Sequence, residues 1–188
     1  DASPSHAYKL GGAKWPTRTI TYHSATPEFN GAIAAAVRAW NTSGARVRFV
    51  KSSRRDAKVL LGVRWFRLGG EARPDIRGGR IYSAKVGIRN GLDRYTMSLV
   101  FAHELGHVLG MEHEHQNPFA GIKWHEQAVY DALARPPNSW DHTTTYHNIL
   151  EKLTQQQVQG STWDPDSIME YEFEPGLIDE PEQYDVNG

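Results

Sequence analysis

The sequence predicts one α+β domain with a regular first half and an irregular second half. With 188 residues, the chain is long enough for one core and short for two. Segments with strand or helix periodicity follow one another to about residue 113, whereas Pro, Asn, Thr and Asp interrupt the pattern after Asn117. We therefore expect a single domain over 1–188, with an N-terminal lobe at about 1–113 and a C-terminal lobe at about 114–188.

Strand periodicity is present in four segments of the first half. These segments are rich in Val, Ile, Leu, Phe and Tyr, and they cover residues 17–24, 46–50, 57–66 and 80–88. The sequence GGEARPDIRGG, which precedes the fourth segment, is rich in Gly, Pro and charged residues and therefore predicts a loop. We expect one sheet in this half.

Helical periodicity is present in both halves. Thr26 is expected to cap a helix that has Pro27 and Glu28 in its first turn. The apolar stripe of this helix comprises Phe29, Ile33, Ala36, Val37 and Trp40. A second helix contains residues 97–109, and its wheel is apolar over most of the circumference, so we expect burial nearly all round, including Leu99. The helices expected in the second half cover 124–134 and 146–153.

The composition limits the kinds of ligand and partner. The chain has no cysteine, so a metal site must use His and carboxylate ligands. No apolar run approaches the roughly 20 residues that span a bilayer. Residues 1–100 hold 18 Lys/Arg and 6 Asp/Glu, whereas residues 101–188 hold 3 and 16. Because the basic residues are scattered among strand segments and form no run, we expect neither a nucleic-acid nor a membrane partner.

The stretch HELGHVLGMEH, residues 103–113, concentrates ionisable side chains on an otherwise apolar helix. His103 and His107 are one helical turn apart, so their imidazoles project side by side and can reach one zinc ion at about 2.1 Å. Gly110 follows where a left-handed residue can end the helix, and the chain can then bring His113 to the same ion. We predict that these three histidines are the metal ligands.

Three protein ligands leave a fourth position for water, as in catalytic zinc sites. Glu104, next to the first ligand, is predicted to be the general base that takes a proton from this water. The alternative is three core histidines satisfied by the backbone, but the added Gly110 and His113 favour the metal. The other histidines lack such spacing, and we expect them to be structural or on the surface. They are His6, His23, His115, His125, His142 and His147, of which His115 is nearest to the motif.

The pattern H-E-x-x-H-x-x-G-x-x-H resembles the zinc-binding signature of the metzincin metallopeptidases, which also have a methionine-containing tight turn. Met169 in the sequence DSIMEY is at the position of that turn. Glu114, directly after the third histidine, and Tyr171, two residues after the methionine, are most similar to the astacin family. The resemblance implies that Tyr171 is a further, movable zinc ligand that assists catalysis, and that Glu114 belongs to a hydrogen-bond network beneath the site. An ordinary buried tyrosine is the alternative for Tyr171.

The resemblance also implies a metzincin architecture, with an N-terminal twisted mixed sheet, two helices, an active-site cleft and a smaller irregular C-terminal lobe. The segment 80–88 would be the edge strand, to which an extended protein or peptide substrate could add. One catalytic zinc ion, secretion, a monomeric state and an inhibitory pro-segment are further expectations. The missing cysteines, Met111 and Glu170 depart from the astacin pattern and indicate a divergent, microbial branch.

The charge of the C-terminal half predicts a change of specificity. Astacins often favour an acidic residue just after the scissile bond, but no Lys or Arg follows Lys152 in this chain. The acidic residues that follow or flank the methionine turn are Glu170, Glu172, Glu174, Asp179, Glu180, Glu182 and Asp185. We expect a basic or neutral substrate residue there, unless these acids are simply solvated. They lack the regular spacing of a calcium loop, so calcium is left open without support.

Three functions are compatible with the sequence. The first is a secreted zinc endopeptidase with Glu104 as the base and Tyr171 assisting. The second is a catalytically silent module that keeps the metzincin scaffold and binds peptides, but such a protein would normally have lost the base or a ligand. The third is a zinc hydrolase that acts on non-peptide amides. The expected edge strand argues against it, because such a strand favours an extended polypeptide as the substrate. We predict the first.

Overall fold

The computed structural model describes residues 13–64, 70–89, 91–158 and 162–181, which form two compact units. The first unit ends at Met111 and the second begins at Glu112. This division lies two residues before the lobe boundary expected from the sequence. The expectation that both units belong to one domain stays a prediction. Within the described residues, no helix is both long and apolar enough to cross a membrane.

A five-stranded mixed sheet is the framework of the first unit, in the order β2-β1-β3-β5-β4. Its strands are β1 (Thr19–Ser24), β2 (Arg48–Lys51), β3 (Val59–Arg64), β4 (Gly70–Arg77) and β5 (Arg80–Ile88). β1 pairs in parallel with β2 and β3, and β3 pairs in parallel with β5, whereas β4 is antiparallel to β5. The four predicted strand segments are confirmed, except that residues 65 and 66 of the third lie outside the described part of the chain.

Strand β4 corrects two expectations. The segment GGEARPDIRGG was expected to be a loop, but most of it forms β4, and β4 rather than β5 is the edge of the sheet. The loop prediction failed because edge strands carry the same Gly, Pro and charged residues as loops do. Here the charges pair along the strand, with Arg73 2.7 Å from Glu71 and Arg77 2.9 Å from Asp75.

Helix α1 (Asn30–Thr42) packs its apolar stripe into the core of the first unit. All five predicted members of the stripe, from Phe29 to Trp40, are buried. The predicted cap is wrong, because Thr26 makes no capping bond and its Oγ1 instead donates to the carbonyl of Gly62 at 2.7 Å. Pro27 and Glu28 begin a single 3₁₀ turn that precedes the α-helix. The hydroxyl has found a partner on β3, which local sequence could not reveal.

Helix α2 (Arg94–Val108) carries the beginning of the histidine motif. Asp93 caps it by accepting hydrogen bonds from the amides of Tyr95 and Thr96 at 2.8 and 3.0 Å. The second half of the helix lies in the same core as α1 and the sheet. The first half is only partly buried: Met97 and Val100 pack against the core, whereas Tyr95 and Leu99 are 72% and 41% exposed. Burial all round is therefore wrong for the first turns, because a helical wheel does not show where a helix leaves the core.

The second unit consists of short elements, as expected for the irregular C-terminal lobe that the sequence predicted. They are β6 (Lys123–Trp124), α3 (Glu126–Leu133), α4 (His142–Thr145) and β7 (Ile178–Glu180). α3 confirms the helix predicted at 124–134. The helix predicted at 146–153 is displaced: α4 begins at His142, one π-helical turn ends at Leu150, and Glu151 is already extended. Trp124 and Phe173 pack against both small apolar clusters of this unit and so connect them.

Candidate metal centre

The second half of α2 presents two imidazoles side by side. The Nε2 atoms of His103 and His107 are 3.1 Å apart, and their ring centroids are 4.8 Å apart. Two nitrogens bound at about 2.1 Å to one tetrahedral ion would be about 3.4 Å apart. The pair therefore already has nearly the separation that a shared metal ion requires.

A hydrogen bond fixes the orientation of the second imidazole. His107 Nδ1 is 2.8 Å from the backbone carbonyl of Met111. Because a carbonyl oxygen can only accept, Nδ1 must carry the proton, which in the neutral ring puts the lone pair on Nε2, the atom that would bind a metal. This is the usual outer support of a metal-binding histidine, and it comes from the turn that ends the helix.

The end of α2 is the turn that the sequence predicted at Gly110. This residue has φ +91°, its amide donates to the carbonyl of His107 at 2.9 Å, and the amide of Met111 donates to the carbonyl of Gly106 at 3.0 Å. The two bonds are those of a Schellman motif with glycine at the left-handed position. Two residues further on, His113 joins the pair on α2, and one ligand atom from each of the three histidines lies within 4.8 Å of the others.

Glu104 is buried beside these histidines on α2, with only 5% of its surface exposed. Burial, and to a lesser extent the negative charge of Glu71, raises the pKa of its carboxyl to about 8, although the backbone amide of Ala72 donates to it. Its Oε2 atom is buried and has no hydrogen-bond partner among the described residues. A nearby dication and a water molecule would compensate both features, because a positive charge lowers a carboxyl pKa and water can donate.

These features fit a zinc ion. The donor set is three imidazoles without a thiolate, one nitrogen is oriented by a backbone carbonyl, and a carboxylate with an unsatisfied oxygen lies beside them. Zinc binds such nitrogen donors readily. For calcium, by contrast, the described residues contain no group of three carboxylates that could hold a cation.

Glu114 and Met169 connect the segment after the motif to the predicted methionine turn. The amide of Glu114 donates to the carbonyl of Met169 at 3.0 Å. The buried Glu114 carboxylate accepts from Asn117 Nδ2 at 3.1 Å, and burial raises its pKa to about 7. Met169 is 2% exposed and lies in a turn closed by a bond from the Glu170 amide to the Ser167 carbonyl at 2.9 Å. Glu114 thus belongs to a hydrogen-bond network, and Met169 occupies a tight turn.

Tyr171 and His115 pack around the third histidine. The ring centroid of Tyr171 is 4.3 Å from that of His113. His115 is completely buried, and its ring is stacked on His113 at 5.2 Å with an interplanar angle of 17°. It also contacts the ring of Tyr171, at 5.0 Å. Sequence reasoning gave His115 no role in the site, and its nearness to the motif was the one signal that could have indicated it.

The other histidines take the structural or surface positions that were expected. His23 is half-buried with Nδ1 3.2 Å from the Ser52 carbonyl, and His125 is exposed. The exposed His142 stacks on Tyr130 at 3.9 Å, while the exposed His147 lies 2.8 Å from a carboxylate oxygen of Glu151. His6 lies outside the described residues.

No family model matches the sequence, and no curated protein matches it. Among solved structures, the chain is similar to myroilysin, with a TM-score of 0.71 and 24% identity over 92% of this chain and 87% of that chain. A second myroilysin structure has a TM-score of 0.50 at 24% identity, over 92% of this chain and 78% of that chain. High choriolytic enzyme 1, a hatching-enzyme zinc protease from the medaka fish Oryzias latipes, has a TM-score of 0.57 at 19% identity, over 86% and 74% of the two chains.

These similarities confirm the predicted fold class. The chain has a metzincin-like α+β fold with a five-stranded mixed sheet, and the resemblance stated from the motif is confirmed at this level. The three clustered histidines fit the same class.

Proposed function

We propose that this protein is an astacin-like zinc metalloendopeptidase that hydrolyses peptide bonds in extended polypeptides. The observation that carries the proposal is the cluster of His103, His107 and His113 with the buried carboxylate of Glu104 beside two of them. The medaka hatching enzyme, which shares the fold, is a zinc protease, and this supports the same general activity here.

The chain offers three nitrogen ligands and one candidate oxygen ligand. His103, His107 and His113 would hold the ion, and the packing of Tyr171 against His113 supports this tyrosine as a further ligand. A bound zinc ion would polarise the scissile carbonyl and lower the pKa of a water molecule.

Glu104 would act as the general base and then as the general acid. Its carboxylate would take a proton from the attacking water and return it to the amine of the leaving group. The Ala72 amide holds the carboxylate, while the buried Oε2 atom has no protein partner that would compete for the proton. Burial raises the pKa of Glu104 and a bound dication would lower it again, which favours the ionised carboxylate that a base requires.

The outer edge of β4, with which no other described strand pairs, would bind the substrate by strand addition. Every second residue of β4 directs its backbone groups away from β5. One of these residues is Ala72, whose amide donates to Glu104. Pro74, two residues further along the strand, has no amide to donate. The edge therefore begins next to the proposed base. Pro74 interrupts it, which limits pairing with other chains but also shortens the edge available to a substrate.

One substitution tests the mechanism. Glu104→Gln keeps the shape of the side chain but removes the base, so we expect zinc to stay bound and peptide hydrolysis to be lost. The matched control is Glu126→Gln, which makes the same change at an exposed position of α3 and should keep the parent rate. Hydrolysis by Glu104→Gln at the parent rate would refute the mechanism, and a parent that binds peptides without cleaving them would indicate the silent binding module.

Secretion, a monomeric state and an inhibitory pro-segment stay predictions from the astacin resemblance. Size-exclusion chromatography with light scattering, and detection of the protein in culture medium, would check the first two.

A further inference from the structure

The side chain of Glu170 points into the second unit and not towards solvent. It was expected to be one of the acidic groups around the substrate, but its side chain is only 10% exposed. Ile168, two residues earlier in the same turn, is 38% exposed. A carboxylate that leaves water loses hydration free energy and is tolerated only when donors surround it. The contacts of Glu170 should therefore have a structural or functional consequence.

Three groups from different segments converge on this carboxylate. Its Oε2 accepts a hydrogen bond from the indole Nε1 of Trp163 at 2.8 Å, and its Oε1 accepts one from the amide of Tyr171 at 3.1 Å. Nδ1 of His115 is 3.5 Å from Oε1, which is too long for a good hydrogen bond but places the imidazole against the carboxylate. Glu170 thus connects the methionine turn to the tryptophan before it and to the segment after the histidine motif.

His115 extends these contacts to the candidate ligands. Its Nε2 donates to the carbonyl of Asn148 at 3.0 Å, so the imidazole lies between a fixed carbonyl on one side and Glu170 on the other. The same ring is stacked on His113 and tilted against Tyr171, and these two rings also contact each other, with centroids 4.3 Å apart. Any rotation of the His115 ring would therefore displace two of the proposed ligands.

We infer that Glu170, itself fixed by the indole of Trp163, is a positioning residue that holds Tyr171 directly through its amide and holds His113 and Tyr171 indirectly through His115. The inference rests on the proposed function, since it concerns the orientation of proposed metal ligands. Partners outside the ligand shell commonly affect metal affinity or activity by about 10- to 100-fold.

The test replaces Glu170 and its indole partner. Glu170→Ala removes all three contacts, and Trp163→Phe removes the 2.8 Å donor but keeps an aromatic ring. Glu170→Gln is a partial replacement, because its single amide oxygen can keep the bond from the indole or the bond from the Tyr171 amide but not both. Asp166→Ala is the matched control, since Asp166 is an exposed acid in the same turn.

The decisive readout is the phenolate-to-copper(II) charge-transfer absorption of the copper-loaded protein, which reports Tyr171 as a ligand and disappears in Tyr171→Phe. We expect Glu170→Ala and Trp163→Phe to weaken this band and to lower kcat by about 10- to 100-fold with a smaller change in KM. Asp166→Ala should keep both near the parent values, and Glu170→Gln should lie between the parent and Glu170→Ala. Circular dichroism shows whether each variant is folded. If Glu170→Ala does not fold, the result for Trp163→Phe decides whether the inference holds.

Two results would overturn the inference. One is a parent protein that shows no band attributable to Tyr171. The other is an active parent with this band, in which Glu170→Ala and Trp163→Phe behave like Asp166→Ala. A parent that neither binds zinc nor cleaves peptides would instead refute the proposed function.

Discussion

Gly70, the first residue of β4, lies directly against the side chain of the proposed base, Glu104. A methyl group added there would be 2.5 Å from Glu104 Oε1 and 2.6 Å from Val100 Cγ1, whereas ordinary contact is 3.4–4 Å. The substitution Gly70→Ala therefore forces the Glu104 carboxylate to move by about 1 Å or the strand to shift by a similar amount. Misplacement of a reacting group by about 1 Å can cost about 100-fold in rate.

We expect kcat/KM of Gly70→Ala to fall by about 100-fold on a fluorogenic peptide. Overpacking should lower the free energy of unfolding by about 1–3 kcal/mol. Zinc content should be unchanged, because the three atoms nearest to the new methyl group belong to Glu104 and Val100 and not to a proposed ligand. Gly121→Ala is the control, since a methyl group there meets nothing within 4 Å. A Gly70→Ala enzyme with the parent kcat/KM would refute the close approach of β4 to the base.

Four other predictions follow from particular residues. Pro74→Ala adds an amide to the free edge of β4 and should lower KM for long peptides but not for short ones; the same KM ratio at every length would contradict this. Gly110→Ala puts a side chain at φ +91° and should cost about 1–2 kcal/mol of stability and weaken zinc binding, measured by urea unfolding and chelator competition. In the metal-free protein, burial raises the Glu104 pKa from 4.5 to about 8, so the folded state keeps a proton that the unfolded state releases. The free energy of unfolding should therefore fall as pH rises through this range, and Glu104→Gln should remove that slope. Glu172 and Glu174 remain exposed near the methionine turn, so peptide-library profiling should show basic or neutral residues after the cut, and enrichment of Asp or Glu would contradict the charge argument.

The clustering of the three histidines could be predicted from sequence because its geometry is local. The spacing of His103 and His107 is one helical turn, and the left-handed Gly110 allows the chain to return with His113 within three residues. Each step uses backbone geometry that neighbouring residues determine. The long apolar stripe of α1 was predicted correctly for the same reason.

The remaining features depend on contacts between distant segments. The composition of β4 is that of a loop, and only its pairing with β5 makes it a strand. The hydroxyl of Thr26 bonds to β3 and not to the helix that it precedes. Glu170 has the sequence context of a surface acid, but Trp163, seven residues away, draws it inward. Side chains with more than one available partner are those that local sequence could not assign.

Elemental analysis of the purified, active protein before and after treatment with a chelator tests the central claim most directly. We expect one zinc ion per chain, loss of peptide hydrolysis when the ion is removed, and recovery when zinc is restored. We expect His113→Ala to bind zinc more weakly than the parent, since it removes one of three clustered donors. An active protein that contains no metal and is indifferent to chelators would contradict the account.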